Sequence, residues 1–155
     1  MALNTELYNK IKQKYGEFYR SFLQDGQLPM GSTEKGFWGY SIDDEVFEVF
    51  KKINLGKFDS FIDLGSGDGK VAIIASIFVK KAYGVEFDKD LIGHSNKLKE
   101  ELGIGNVEFI NDDFYNLDFS KFDIIYNYPD EPMERKLEKK LIKKMKGKII
   151  VYGNH

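Results

Sequence analysis

The order of apolar runs along this chain constrains its fold more than any other feature. "FDSFIDL" (58–64), "AYGVEF" (82–87), "VEFIN" (107–111), "KFDIIYNYP" (121–129) and "KIIVYG" (148–153) read as strands. Between them, "KVAIIASIFVKK" (70–81), "KDLIGHSNKLKEELG" (89–103) and "EPMERKLEKKLIKKMKG" (131–147) carry helical periodicity and end on glycine or lysine. Strands alternating with helices of this length imply right-handed crossovers and a mostly parallel sheet with helices on both faces, an α/β fold. Ahead of that core, Leu7, Ile11, Tyr15, Phe18 and Phe22 form one stripe of a helix that stops near Asp25-Gly26. "LPMGSTEKGFWGYS" (28–41) is expected to be irregular. A second helix is expected from Ser41, where Ser41 and Asp44 make a capping-box pattern and Ile42, Val46, Phe50 and Ile53 its buried face. The expected organisation is a single domain over 1–155, with an N-terminal helical extension (1–54) and an α/β core (55–155).

With 155 residues, 42% apolar and 31% charged, the chain is long enough for one proper core and lacks the composition of disorder. A formal charge of −2 shows no electrostatic footprint for nucleic acid. The absence of cysteine excludes a disulfide framework, a thiolate metal site and a cysteine nucleophile. The longest apolar run, Val71 to Val79, is far short of the ~20 residues that span a bilayer, and the start is polar within a few residues of Met1. A cytoplasmic protein without membrane or metal is expected, and nothing points to a particular oligomer.

"FIDLGSGDGK" (61–70) places three glycines at alternate positions after the first core strand. In an open parallel sheet, ligands lie beyond the carboxyl ends of the strands, where strand order reverses. Gly65, Gly67 and Gly69 let a ligand approach backbone, and the helix from Lys70 would favour a carboxylate or phosphate. Glu86 ends the next strand, 17 residues after Gly69, where an acid can accept both hydroxyls of a ribose. The dinucleotide fingerprint G-x-G-x-x-G fails because the third glycine comes one position early. The Walker loop fails because Val71 stands where Ser or Thr must hold magnesium.

The chain resembles the class I S-adenosylmethionine-dependent methyltransferases over about Phe61 to Tyr152. The resemblance is an ordered set: "FIDLGSGDGK", "AYGVEFD", "VEFINDDF" and "FDIIYNYP" match the family's first four motifs. It implies a Rossmann-like class I methyltransferase fold and S-adenosyl-L-methionine as cofactor. It further implies that Gly65, Ser66 and Gly67 approach the methionine part and that Asp63 and Asp68 organise the loop and the ammonium. Glu86 would take the ribose, Asp113 the adenine amine, and Phe87 or Phe114 would cover the ring. Within the class, the small archaeal protein lysine methyltransferases and the ATP synthase c-subunit lysine methyltransferases look similar. Their short segment reaching the cofactor corresponds to "GFWGYS" here (36–41), which makes Trp38, Tyr40 and Ser41 candidates to cover the cofactor and touch its carboxylate. Seven strands are usual in that fold, so the last two are expected to be missing from a chain with three residues after Tyr152.

Methyl transfer from a sulfonium needs position, desolvation and an unprotonated nucleophile more than a histidine or cysteine base. "NYPD" (127–130) stands where amino-group methyltransferases carry Asp or Asn followed by Pro-Pro-aromatic, so Asn127 could orient a nitrogen while Tyr128 or Tyr40 forms an aromatic wall. The eight basic residues from Arg135 to Lys148 alternate with Leu137, Leu141 and Ile142, which reads as the solvated side of a packed helix. The expected function is methyl transfer to nitrogen, with a protein lysine preferred as acceptor over an RNA or nucleobase amine. A cofactor-binding interaction module with weak catalysis is the remaining alternative.

Overall fold

The structure is a computed structural model, which describes residues 4–34, 36–39, 41–128, 135–144 and 147–151. Its elements run α1 (Thr5–Gln24), β1 (Met30–Thr33), β2 (Gly36–Gly39), α2 (Asp43–Lys52), β3 (Ser60–Leu64), α3 (Lys70–Ala75), β4 (Lys81–Glu86), α4 (Lys89–Glu101), β5 (Val107–Asn111), β6 (Ile124–Asn127), α5 (Arg135–Lys144) and β7 (Lys148–Val151). The central sheet has the order β5-β4-β3-β6-β7 with every pairing parallel. The chain steps outward from β3 through β4 to β5 and then returns to the other side of β3. Strand order therefore reverses at β3, where Leu64 and Asn127 are register partners at the carboxyl ends.

Side-chain alternation in the strands builds two cores. Phe61 of β3 and Ile124 and Tyr126 of β6 face α1, α2, α3 and α4, while Ile62, Leu64 and Ile125 face Leu137 and Leu141 of α5. The expected α/β architecture, with helices on both faces and a helix ahead of the core, is what the chain forms. The basic helix packs through Leu137 and Leu141 as expected, but Ile142, expected on the same buried face, is 72% exposed. In α1 the buried stripe is Tyr8, Ile11 and Tyr15, with Leu7 and Phe18 half-buried beside it.

Four local expectations are corrected. The stretch expected to be irregular contains the antiparallel hairpin β1–β2, with Trp38 opposite Gly31. The capping box does not form: Ile42 is the N-cap residue and no side chain caps α2. Its acids are engaged across the fold instead, Asp44 accepting from the Tyr8 hydroxyl at 2.7 Å and Lys12 at 2.8 Å, and Asp43 pairing with Lys70. Ile42 is exposed, and Phe47 takes the buried place expected of it by stacking on Tyr8 at 3.8 Å. Finally, α3 ends at Ala75. The Ser76 hydroxyl donates to the Ile73 carbonyl, and Asn106 donates to the carbonyls of Ser76 and Val79, so side chains take over the backbone groups that a longer helix would pair.

Candidate functional site

The loop after β3 is tied to β4 before it can hold anything. The N–H groups of Gly65 and Ser66 both donate to the Val85 carbonyl at 2.9 Å, and Gly67 N–H donates to Glu86 Oε2 at 3.0 Å. Glu86 Oε1 accepts from Asp88 N–H at 3.0 Å, so one buried carboxylate joins the glycine loop to the start of α4. Gly65, Gly67 and Gly69 all have positive φ, which explains glycine at each position.

The three glycines leave different surroundings. A Cβ on Gly65 would meet nothing within 4 Å, so this position opens to the crevice at the strand ends. A Cβ on Gly67 would lie 2.4 Å from Trp38 Cδ1, and one on Gly69 would lie 2.5 Å from Phe109 and 2.7 Å from Ser95 Oγ. The last two glycines thus admit protein side chains rather than a ligand, which corrects the expectation that all three clear space for one. Gly84 acts likewise, since its Cβ would meet Ser66 Oγ at 2.7 Å and Phe109 at 2.8 Å.

Charge is concentrated under this loop. Asp63, on the same face of the sheet as Tyr126, is 3% exposed. Burial, then the neighbouring Glu86 and Asp68 carboxylates, pushes its carboxyl well above the usual range. Asp68 is raised by burial too, against the opposing pull of Lys70 and Tyr19. Its oxygens turn away from the crevice: Oδ2 accepts from the Tyr19 hydroxyl at 2.5 Å, Oδ1 from Lys70 N–H at 3.1 Å, and its backbone carbonyl from the Tyr15 hydroxyl at 2.9 Å. Burial and the adjacent Asp68 raise the Tyr19 hydroxyl far above its ordinary value, so it stays a donor.

Toward β5, Asn111 donates to the carbonyls of Glu86 and Phe87. A cavity of about 550 Å³ lies there, lined by Phe87, Asp88, Asp90, Asp112 and Glu34 among others. Phe87 is 36% exposed beside it. Asp113 Oδ1 caps the following turn by accepting from Tyr115 N–H at 3.0 Å, and Phe114 is half-buried against Tyr115 with ring centres 4.9 Å apart. On the other side of β3, Asn127 is 5% exposed at the end of β6, whereas Tyr128 is 51% exposed. Ser41 is half-buried and its carbonyl accepts from Lys70 Nζ. Tyr40 lies outside the described residues.

The donors present suit S-adenosylmethionine. The Trp38 indole N–H lies beside Gly67, is buried, and has no hydrogen-bond partner, and the buried Ser66 hydroxyl likewise has none. Two unpaired donors on the loop that ends β3, with buried acids at Asp63 and Glu86 on the neighbouring strands, fit a ligand that carries a carboxylate, an ammonium and a ribose diol. Tyr15, Tyr19, Asp43, Ser95 and Phe109 support the loop, and none of them was read from the sequence as a site residue. Helical spacing marked Tyr15 as buried, but nothing in a single sequence says where its hydroxyl points.

Comparison with known proteins places this architecture. Residues 63–154 match the family model described as ANTKMT methyltransferase domain. A Caenorhabditis elegans histone-lysine N-methyltransferase, H3 lysine-79 specific, is 30% identical over 95 residues, covering 54% of this chain and 10% of that protein. An uncharacterized protein of Methanocaldococcus jannaschii is 31% identical over 94 residues, covering 57% of this chain and 36% of that protein. The chain thus spans about a tenth and about a third of the length of these two relatives. Among solved structures, an RNA methyltransferase from Salinibacter ruber in complex with S-adenosyl-L-homocysteine superposes with a TM-score of 0.63 at 27% identity, over 69% of this chain and 71% of that one.

Proposed function

This chain belongs to the ANTKMT methyltransferase domain family, and on that premise we propose that it transfers a methyl group from S-adenosylmethionine to the side-chain nitrogen of a protein lysine. The observation that carries the choice of acceptor is the 30% identity over 95 residues with a histone-lysine N-methyltransferase. A reducing, cytoplasmic setting accords with the absence of cysteine. Among the described residues, no helix is long and apolar enough to cross a membrane.

Bound cofactor supplies a methyl group already activated on a sulfonium. The residues of this chain do the rest. Glu86 accepts from the ribose with the lone pairs that Gly67 and Asp88 leave, and the buried Asp63 meets the ammonium. Trp38 and Ser66 donate to the carboxylate, Ser41 helps to cover it, and Asp113 with Phe87 or Phe114 recognises adenine. Asn127, buried at the strand end beside Leu64, receives the incoming amine, and Tyr128 with Tyr40 excludes water around it. A lysine has a reference pKa of about 10.4, so around one in two thousand is neutral at pH 7 and its proton must leave before attack.

The test is kinetic. With a lysine acceptor the rate should rise with pH to about 9, and Tyr128→Ala should cost more than Asn127→Ala. The second reading, an RNA base amine, is favoured by the Salinibacter ruber neighbour. It requires the opposite: a flat pH profile, with turnover falling about a hundredfold in Asn127→Ala because a weakly nucleophilic planar amine depends on directed acceptors.

A further inference from the structure

A lysine that follows a glycine loop reads at first as a phosphate ligand, but Lys70 is built for something else. It is 1% exposed, among the most buried side chains of the molecule. Its Nζ donates to the Ser41 carbonyl and to Asp43 Oδ1, the latter at 2.5 Å, and lies 4.8 Å above the ring of Tyr19. All of these partners belong to the N-terminal extension, outside the residues that match the family model. The backbone of the same residue donates to Asp68, whose side chain accepts from Tyr19. One buried cation therefore fastens the glycine loop to the segment that carries Trp38, three residues before Ser41, and Trp38 in turn lies against Gly67.

We propose that Lys70 is a positioning residue that holds the Trp38–Ser41 segment over the glycine loop and so makes the N-terminal hairpin a wall of the cofactor site. Three features give the geometry its force. A buried ammonium must keep its partners, because losing one leaves an uncompensated charge in the interior. The partner at Ser41 is a backbone carbonyl, so the bond fixes the path of the chain rather than a rotatable side chain. The space over Gly67 has no slack, since a single added carbon there would collide with the indole. Without the anchor, Trp38 has the hairpin and its contact with Phe22, ring centres 5.9 Å apart, to keep it in place. The proposal rests on reading the Gly65–Gly67 loop as the cofactor loop.

Trp38 is the chain's single tryptophan, which makes the wall directly observable. Lys70→Met would be compared with the unaltered protein by acrylamide quenching of Trp38, by calorimetric titration with S-adenosylhomocysteine, and by circular dichroism. The expected result is retained secondary structure with more accessible Trp38 emission and about tenfold weaker binding, within the usual range of coupling between two sites. A lower melting temperature with unchanged quenching and unchanged affinity of the folded protein would overturn the proposal, because a merely structural anchor behaves that way. If Lys70→Met does not fold, Asp43→Asn decides the matter on the same readouts, since it removes one partner and leaves the lysine in place. Failure of methyl transfer to lysine, with quenching and affinity shifted as expected, would count against the proposed acceptor and leave this assignment standing.

Discussion

Asp63, Asp68 and Glu86 are buried around one loop, and Lys70 offsets the cost of charge at Asp68 but not at Asp63. Asp63 shows the consequence. Its folded pKa is raised above the unfolded value, so the stabilisation from its neutral form is complete below about pH 4 and is lost as pH rises through the folded value. Asp63→Asn should therefore melt higher than the parent at pH 7, by about 2–4 °C for each 1 kcal/mol relieved in a chain of this size, with the difference vanishing toward pH 4. The same variant should bind S-adenosylhomocysteine about tenfold more weakly, having lost a charge-assisted partner for the ammonium. Parallel melting curves across pH would show that Asp63 has no such role. Glu86 differs, because it accepts from Gly67 and Asp88 as well as from any ribose. Glu86→Ala should lower cofactor affinity by roughly 30- to 150-fold and lower the melting temperature too, and calorimetry with differential scanning measures both.

Secondary-structure elements determine which parts of the site could be read from sequence. The strand and loop from Phe61 to Lys70 and the acid that ends β4 were legible because their signals are local: a buried apolar run, glycines at alternate positions and an acid at the next strand end. The parallel pairing of the strands followed from the helices between them, too long for hairpins, whereas their order in the sheet came from the structure. The hairpin β1–β2 was not legible, since four-residue strands rich in glycine carry no alternation to detect. The cap of α2 was misread because Asp43 and Asp44 bond to Lys70, Tyr8 and Lys12, partners up to 36 residues away. The same long range hid the role of Tyr19. Gly67→Ala tests the fit between hairpin and loop. The added carbon meets Trp38 at a φ of +53°, so Trp38 emission should shift to the red and cofactor binding should fall by at least about tenfold. An unaltered emission spectrum would mean that the indole does not rest on the loop.

Over the whole molecule, strand order reverses at β3, and on the proposed reading the cofactor lies to one side of it and the acceptor to the other. Glu86 and the acidic cavity lie toward β5, and Asn127 and Tyr128 lie toward β7. The glycine spacing excludes the dinucleotide and Walker patterns, so neither NAD nor ATP should compete with S-adenosylmethionine in calorimetry. Competition by NAD would contradict the assignment of the loop. The central claim is that the methyl group ends on a lysine of a protein. Incubation of the protein with S-adenosylmethionine deuterated in its methyl group and a mixed extract, followed by mass spectrometry of peptides and of nucleosides, tests it most directly. Deuterated methyl groups on lysine side chains, with RNA left unlabelled, are the expected result. Label confined to an RNA base, with unlabelled lysines, would contradict it.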